Sequence, residues 1–180
     1  MSSAPERWRE EWTLAGGERV ACRPIRPDDA AIEQEFVRGL SRESRYFRFL
    51  AGIEELSPEM LARFTRIDWP RELALIVTHD AQGREREIAV ARYIALPRAG
   101  DCEFALAVAD AWHGHGVGYR LMQTLMRFAR EAGFARMEGY VLAANHKMLE
   151  LMHALGFDSR ASGEGPELRL VSRSLAAPIE

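Results

Sequence analysis

The segment Trp112-His113-Gly114-His115-Gly116-Val117-Gly118-Tyr119-Arg120 sets three glycines at alternate positions. Without a Cβ, such a backbone can approach a ligand closely and turn where other residues cannot. The free amides of the loop, with the positive end of a following helix, suit an anion of the pyrophosphate kind. Tyr119 and Arg120 fall in the first turn of that helix. A glycine turn that holds no ligand has the same local pattern. No Gly-Lys-Ser/Thr follows, so the loop is not of the Walker A kind, and the strands before it do not read as the opening of a dinucleotide-binding βαβ unit. His113 and His115 lie two residues apart with no third ligand close in sequence, so no metal site is expected.

Glu103 is the second chemical signal. Cys102, Phe104, Leu106 and Val108 alternate with Glu103, Ala105 and Ala107, which is the period of a strand. Small Ala105 and Ala107 on the glutamate's own face leave room for something to lie against the sheet. A partly buried carboxylate there has a raised pKa and can act as a general base near neutrality. A glutamate facing water at a sheet edge fits the same pattern. Asn145 reads first as a helix N-cap, with an amide left to offer a ligand. Met148, Leu151, Met152 and Leu155 form a core stripe, and Ser41–Phe49 mixes arginines with aromatics on a solvated helix.

These residues need elements to hold them. Glu18–Ile25 reads as a strand, and Pro27 opens a helix carrying Ile32, Phe36 and Leu40. Ser41–Leu50 is a shorter helical piece, and Ser57-Pro58 opens another with Met60, Phe64 and Ile67 on one side. Leu73–Thr78 and Ile88–Ala95 are strands around a turn at Gly83. A helix runs from Val117 past Ala129 to Ala132, then a strand Met137–Leu142, a helix from Asn145 to Leu155, and closing strands after Phe157 and over Glu167–Ser174. The order implies an antiparallel meander followed by one parallel step. The expected fold is α/β, a mixed and mostly antiparallel sheet with helices on both faces.

The 180 residues are 47% hydrophobic and 28% charged, which suits one folded domain over 1–180 with residues 1–12 flexible. Ala81–Arg86, Pro97–Gly100 and Ser159–Pro166 are further flexible candidates. Lys+Arg is 24 against Asp+Glu 27, a net charge of −3, which argues against nucleic acid as the main partner. Lys147 is the only lysine, a composition bias. Two cysteines, a polar N-terminus and no long apolar run imply a cytoplasmic protein that does not span a membrane.

His113-Gly114-His115-Gly116-Val117-Gly118 is similar to the Gln/Arg-x-x-Gly-x-Gly/Ala signature of the GNAT superfamily of acyl-CoA N-acyltransferases, with histidine at its first position. Asn145…Leu155-Gly156-Phe157 resembles the family's second motif, and the likeness runs from Arg23-Pro24-Ile25-Arg26-Pro27-Asp28 to the last strands. Ser41…Ser44-Arg45-Tyr46-Phe47-Arg48-Phe49, Ala91-Arg92-Tyr93 and Glu103…Trp112 resemble the acetyltransferase domain of bacterial Pat-type protein lysine acetyltransferases. Such proteins often carry a regulatory domain, for which 180 residues leave no room.

The resemblance implies acetyl-CoA as co-substrate. Its pyrophosphate would lie on the amides from Gly114 to Tyr119, and its arm along Leu106, Ala107 and Val108 and against Asn145. Glu103 would be the base that frees a primary amine, a protein lysine or a small molecule, for direct attack on the thioester. Many relatives have a tyrosine that protonates the leaving thiolate. Here Met152 holds that position and cannot donate a proton, which leaves Tyr140 as the weaker candidate. A non-catalytic acyl-CoA sensor and a homodimer through a C-terminal edge strand complete the expectations.

Overall fold

The structure is a computed structural model that describes residues 5–176. Eight strands form one sheet in the order β1-β2-β3-β4-β5-β6-β8-β7. Its first half is built from β1 (Glu10–Thr13), β2 (Arg19–Pro24), β3 (Glu72–Ala81), β4 (Arg84–Ala95) and β5 (Asp101–Val108), each antiparallel to its neighbour. Its second half holds β6 (Arg136–Leu142), β7 (Asp158–Ala161) and β8 (Leu168–Ser174). Among the described residues only β5 and β6 pair in parallel, as the strand–helix–strand reading requires.

Helices cover both faces. Between β2 and β3 lie α1 (Ala30–Gly39), α2 (Arg42–Phe49) and α3 (Pro58–Phe64). The long α4 (Val117–Glu131) joins β5 to β6, and α5 (His146–Ala154) follows β6. The unbroken apolar run of β3 follows from this double cover. Leu73, Leu75 and Val77 pack towards α4, where Leu121, Met122, Leu125 and Met126 are fully buried. Ala74 and Ile76 pack with Ile25, Phe36, Val37 and Leu40 on the α1 side. Each large apolar side chain buried this way contributes about 1.5–3 kcal/mol. Among the described residues no helix is long and apolar enough to cross a membrane.

Three expectations are corrected. Residues 1–4 lie outside the described residues, but the flexible stretch expected over 1–12 is ordered from Trp8 onward: Trp8 meets Phe128 edge-on at 5.1 Å and Trp12 is buried in β1. Helix α3 stops at Phe64, so Ile67 lies beyond it, although it still packs on the core. The first residues of Ser159–Pro166 belong to β7, which pairs with β8.

Candidate functional site

The glycine loop sits where β5 ends and α4 begins. A 3-10 turn over Asp110–Trp112 leads into it. Gly114 and Gly116 have φ of 77° and 79°, the left-handed region that glycine enters without strain. Gly116 is the N-cap of α4, and no side chain caps the helix. The first-turn amides therefore have neither a capping side chain nor an intrahelical acceptor, which is what an anion needs. Gly118 serves a different purpose. A Cβ there would stand 3.3 Å from Leu151 and from Val108, so its absence lets α4 pack onto β5 and α5.

The two histidines brace the loop. His113 Nε2 donates to the carbonyl of Val108 at 2.9 Å, and His115 Nδ1 donates to that of His113 at 3.0 Å. Trp112 lies between the rings of His79 and His115. Val117 is buried in the core, and Tyr119 packs against it.

Alongside the loop the sheet parts. Pairing between β5 and β6 covers only Asp101–Glu103 with Arg136–Glu138. Beyond it, the ring of Phe104 occupies the space over Gly139, where a Cβ would come within 2.6 Å of it. The same ring meets Phe157 edge-on at 5.4 Å. The β6-facing backbone of β5 from Ala105 to Val108 is therefore left without a strand partner.

An open cleft of about 150 Å³ lies at this parting, lined by Glu103, Ala105 and Leu106 of β5. Tyr140 and Val141 of β6, with Asn145 and Met148, form the facing wall. Asn145 is the N-cap of α5, its Oδ1 accepting from the Met148 amide at 3.2 Å. Glu103 is half-buried. Burial, then the neighbouring carboxylates of Glu138 and Glu164, raise its pKa above the ordinary glutamate value. Burial and the charges of Glu164 and Glu103 likewise push the Tyr140 hydroxyl up.

The cleft thus joins Glu103, Leu106, Asn145 and Tyr140. Residues 113–118 stand further along β5 at the head of α4, and Val108 connects the two regions through His113. The side chain of Ala107 is buried under α1, so it offers the cleft only backbone. Met152 is 1% exposed and turned into the core, as its place in the stripe predicted. The third wall is new. Phe47, Arg48 and Leu50, from α2 and its end, close the cleft opposite Tyr140. The helical spacing of Ser41–Phe49 was legible, but which of its residues would face β5 was not. Arg48 stacks on Phe49 and Phe64, and loss of contact with water under these rings, with the charge of Arg92, lowers its pKa to about 10.

With this frame in place the class is clear. The chain is an acetyltransferase and belongs to the Acetyltransferase (GNAT) family, whose model matches residues 37–157, a span that takes in the cleft, the glycine loop and α4. Proteins of this family generally take the acetyl group from acetyl-CoA. Acetyltransferase PA5475 of Pseudomonas aeruginosa is 38% identical over 152 residues, 84% of this chain and 81% of that protein. Acetyltransferase Pat of Mycolicibacterium smegmatis is 29% identical over 141 residues, 78% of this chain but 41% of that longer protein. The crystal structure of the GNAT domain of S. lividans PAT superposes with a TM-score of 0.85 at 30% identity, over 96% of this chain and 99% of that one.

Proposed function

We propose that the protein transfers the acetyl group of acetyl-CoA directly to a primary amine, with Glu103 as general base. The observation that carries this reading is that Glu103 shares one cleft with the partnerless backbone of β5 and with Asn145. The uncapped amides from Gly114 to Tyr119, held by His113 and His115, suit the pyrophosphate of the co-substrate. The free edge of Leu106, Ala107 and Val108 suits the hydrogen-bonding arm that follows it, and a backbone amide there could face the developing oxyanion. Asn145 adds its amide group to the same wall.

Glu103 takes a proton from the acceptor's ammonium through an intervening water. The freed amine attacks the acetyl carbonyl, the nitrogen gives up its second proton to water as the amide bond forms, the thioester bond breaks, and the sulfur leaves with the electron pair and takes up a proton. Burial and neighbouring negative charge keep Glu103 basic enough for that proton. Tyr140, whose hydroxyl lines the same cleft and stays protonated, is the candidate donor to the leaving sulfur. Much of the rate gain comes from holding amine and thioester together.

The acceptor proposed is a protein lysine. The carboxylates of Glu103, Glu138 and Glu164 favour an incoming ammonium, and the resemblance of Ser41–Phe49 and Glu103–Trp112 to Pat-type protein lysine acetyltransferases points the same way. The match to an isolated GNAT domain over 96% of the chain supports reading it as one acyltransferase domain. The test is calorimetric titration with acetyl-CoA, followed by turnover on blocked lysine peptides and on small amines. In Glu103→Gln, turnover at saturating substrate falls on the order of 100-fold or more, while acetyl-CoA affinity stays near that of the unmodified protein. Unchanged turnover would remove Glu103 as base, and binding without turnover on any amine would leave a sensor.

A further inference from the structure

Helix α2 supplies the third wall of the cleft, yet none of its eight residues is buried. Its far end is held by the parallel stack of Phe49 on Phe64, with ring centres 6.4 Å apart. Its near end is held by the Arg45 guanidinium, which donates to the carbonyls of Arg38 and Leu40, and from outside by one carboxylate. Asp110 Oδ2 accepts from the Ser41 amide at 2.9 Å, and Asp110 Oδ1 accepts from the hydroxyls of Ser41 and Ser44, each at 2.8 Å. The Ser41 hydroxyl in turn accepts from the Ser44 amide at 3.1 Å and caps the helix. Asp110 is thus a cap supplied by another element, lying at the positive end of α2. Partial burial opposes its charge, and the hydrogen bonds from Ser41 and Ser44 outweigh that, so its pKa lies below the ordinary aspartate value.

The same residue belongs to the other half of the site. Its carbonyl accepts from the His113 amide at 3.2 Å, and the His113 ring holds Val108. One side chain therefore fastens the wall that carries Phe47, Arg48 and Leu50 to the turn that leads into the glycine loop.

We propose that Asp110 is a positioning residue for the acceptor: its clasp on Ser41 and Ser44 sets where the α2 wall stands over Glu103. The proposal rests on reading the cleft as the acetyl-transfer site. Asp110 touches no reacting atom. It acts through α2, and a wall misplaced by about 1 Å can cost up to on the order of 100-fold in rate.

The experiment compares Asp110→Ala, Ser44→Ala and Ser44→Thr with the unmodified protein, using an acetyl-blocked lysine peptide at saturating acetyl-CoA. Hydrogen exchange of residues 42–50 and calorimetric affinity for acetyl-CoA are measured beside the kinetics. In Asp110→Ala, exchange over α2 accelerates and KM for the peptide rises about tenfold, with kcat within about threefold. Acetyl-CoA affinity stays unchanged. Ser44→Ala moves exchange and KM the same way by less, and Ser44→Thr, which keeps the hydroxyl, restores both. Combining Asp110→Ala with Ser44→Ala adds little to Asp110→Ala alone, because both remove one clasp.

Unchanged exchange over α2, or an unchanged KM, would overturn the proposal. So would a parallel loss of acetyl-CoA affinity, which would make Asp110 a support of the glycine loop instead. Glu103→Gln, measured with the same peptide, separates the two failures. If it loses turnover while Asp110→Ala keeps its KM, the clasp alone is wrong. If both are silent, the reading of the cleft falls too.

Discussion

Glu103 works in the company of other carboxylates, and that company sets its pH range. Burial raises its pKa first, and the negative charges of Glu138 and Glu164 add to the effect. Glu164 is the one to test, because it is exposed on the loop between β7 and β8. A base must be deprotonated to act, so activity rises with pH through the pKa of Glu103. Glu164→Gln removes a charge that raises this pKa, so the acidic limb of the kcat/KM profile moves to lower pH. Glu103→Gln abolishes that limb, and an unmoved limb in Glu164→Gln would detach it from Glu103. Glu103 could be picked out of the sequence because a single carboxylate interrupts an alternating strand. Glu138 and Glu164 could not be assigned to its surroundings, because only the parallel register and a distant loop bring them near. Arg48 escaped notice for a similar reason: a helical period shows that a residue lies on a helix, not which neighbour the helix meets.

The parting of β5 from β6 is built from one large and one absent side chain. Phe104 lies over Gly139, and a methyl group there would overlap the ring at 2.6 Å. Gly139→Ala is expected to destabilise the protein by about 1–3 kcal/mol, as overpacking does. Urea denaturation measures this, and Phe104→Leu in the same chain should return part of the loss because the two sites are in contact. Equal losses with Phe104 or Leu would show that the clash is not the cause. Strands β3 to β6 and helices α4 and α5 were legible because their apolar periods are long and continuous. Strand β1 was not. Glu10-Glu11-Trp12-Thr13 turns only Trp12 inwards, and one inward residue gives no period; pairing with β2 makes it a strand. The end of α3 at Phe64 was missed because Ile67 continues the helical spacing in a segment that is not helical.

At the level of the whole molecule, two carboxyl groups are enclosed beneath α1. Glu33 of α1 and Glu87 of β4 are both buried, and their carboxyl groups meet in a shared hydrogen bond. Burial, then the charge of Glu33, raises the pKa of Glu87 well above the ordinary value. A carboxyl raised on folding favours the folded state fully below its unfolded pKa of about 4.3, and that contribution is lost as pH rises through the folded value. Glu87→Gln should therefore gain stability over the unmodified protein at pH 8 and little near pH 4.5. Denaturant titrations at the two pH values measure the difference, and a gain that does not grow with pH would place the cost elsewhere. The narrow seam between β5 and β6 has a consequence in time. The β3–β4 hairpin turns within Gln82 and Gly83 and β5 pairs with β4 after the short connection 96–100, so these three strands can assemble from local contacts. The unit of β6, β7 and β8 is joined to them by three strand residue pairs and by side chains of the shared core, and it is expected to dock late in folding. Shortening Met137 in the seam should then speed unfolding and leave refolding unchanged, while shortening Val77 in β3 should slow refolding.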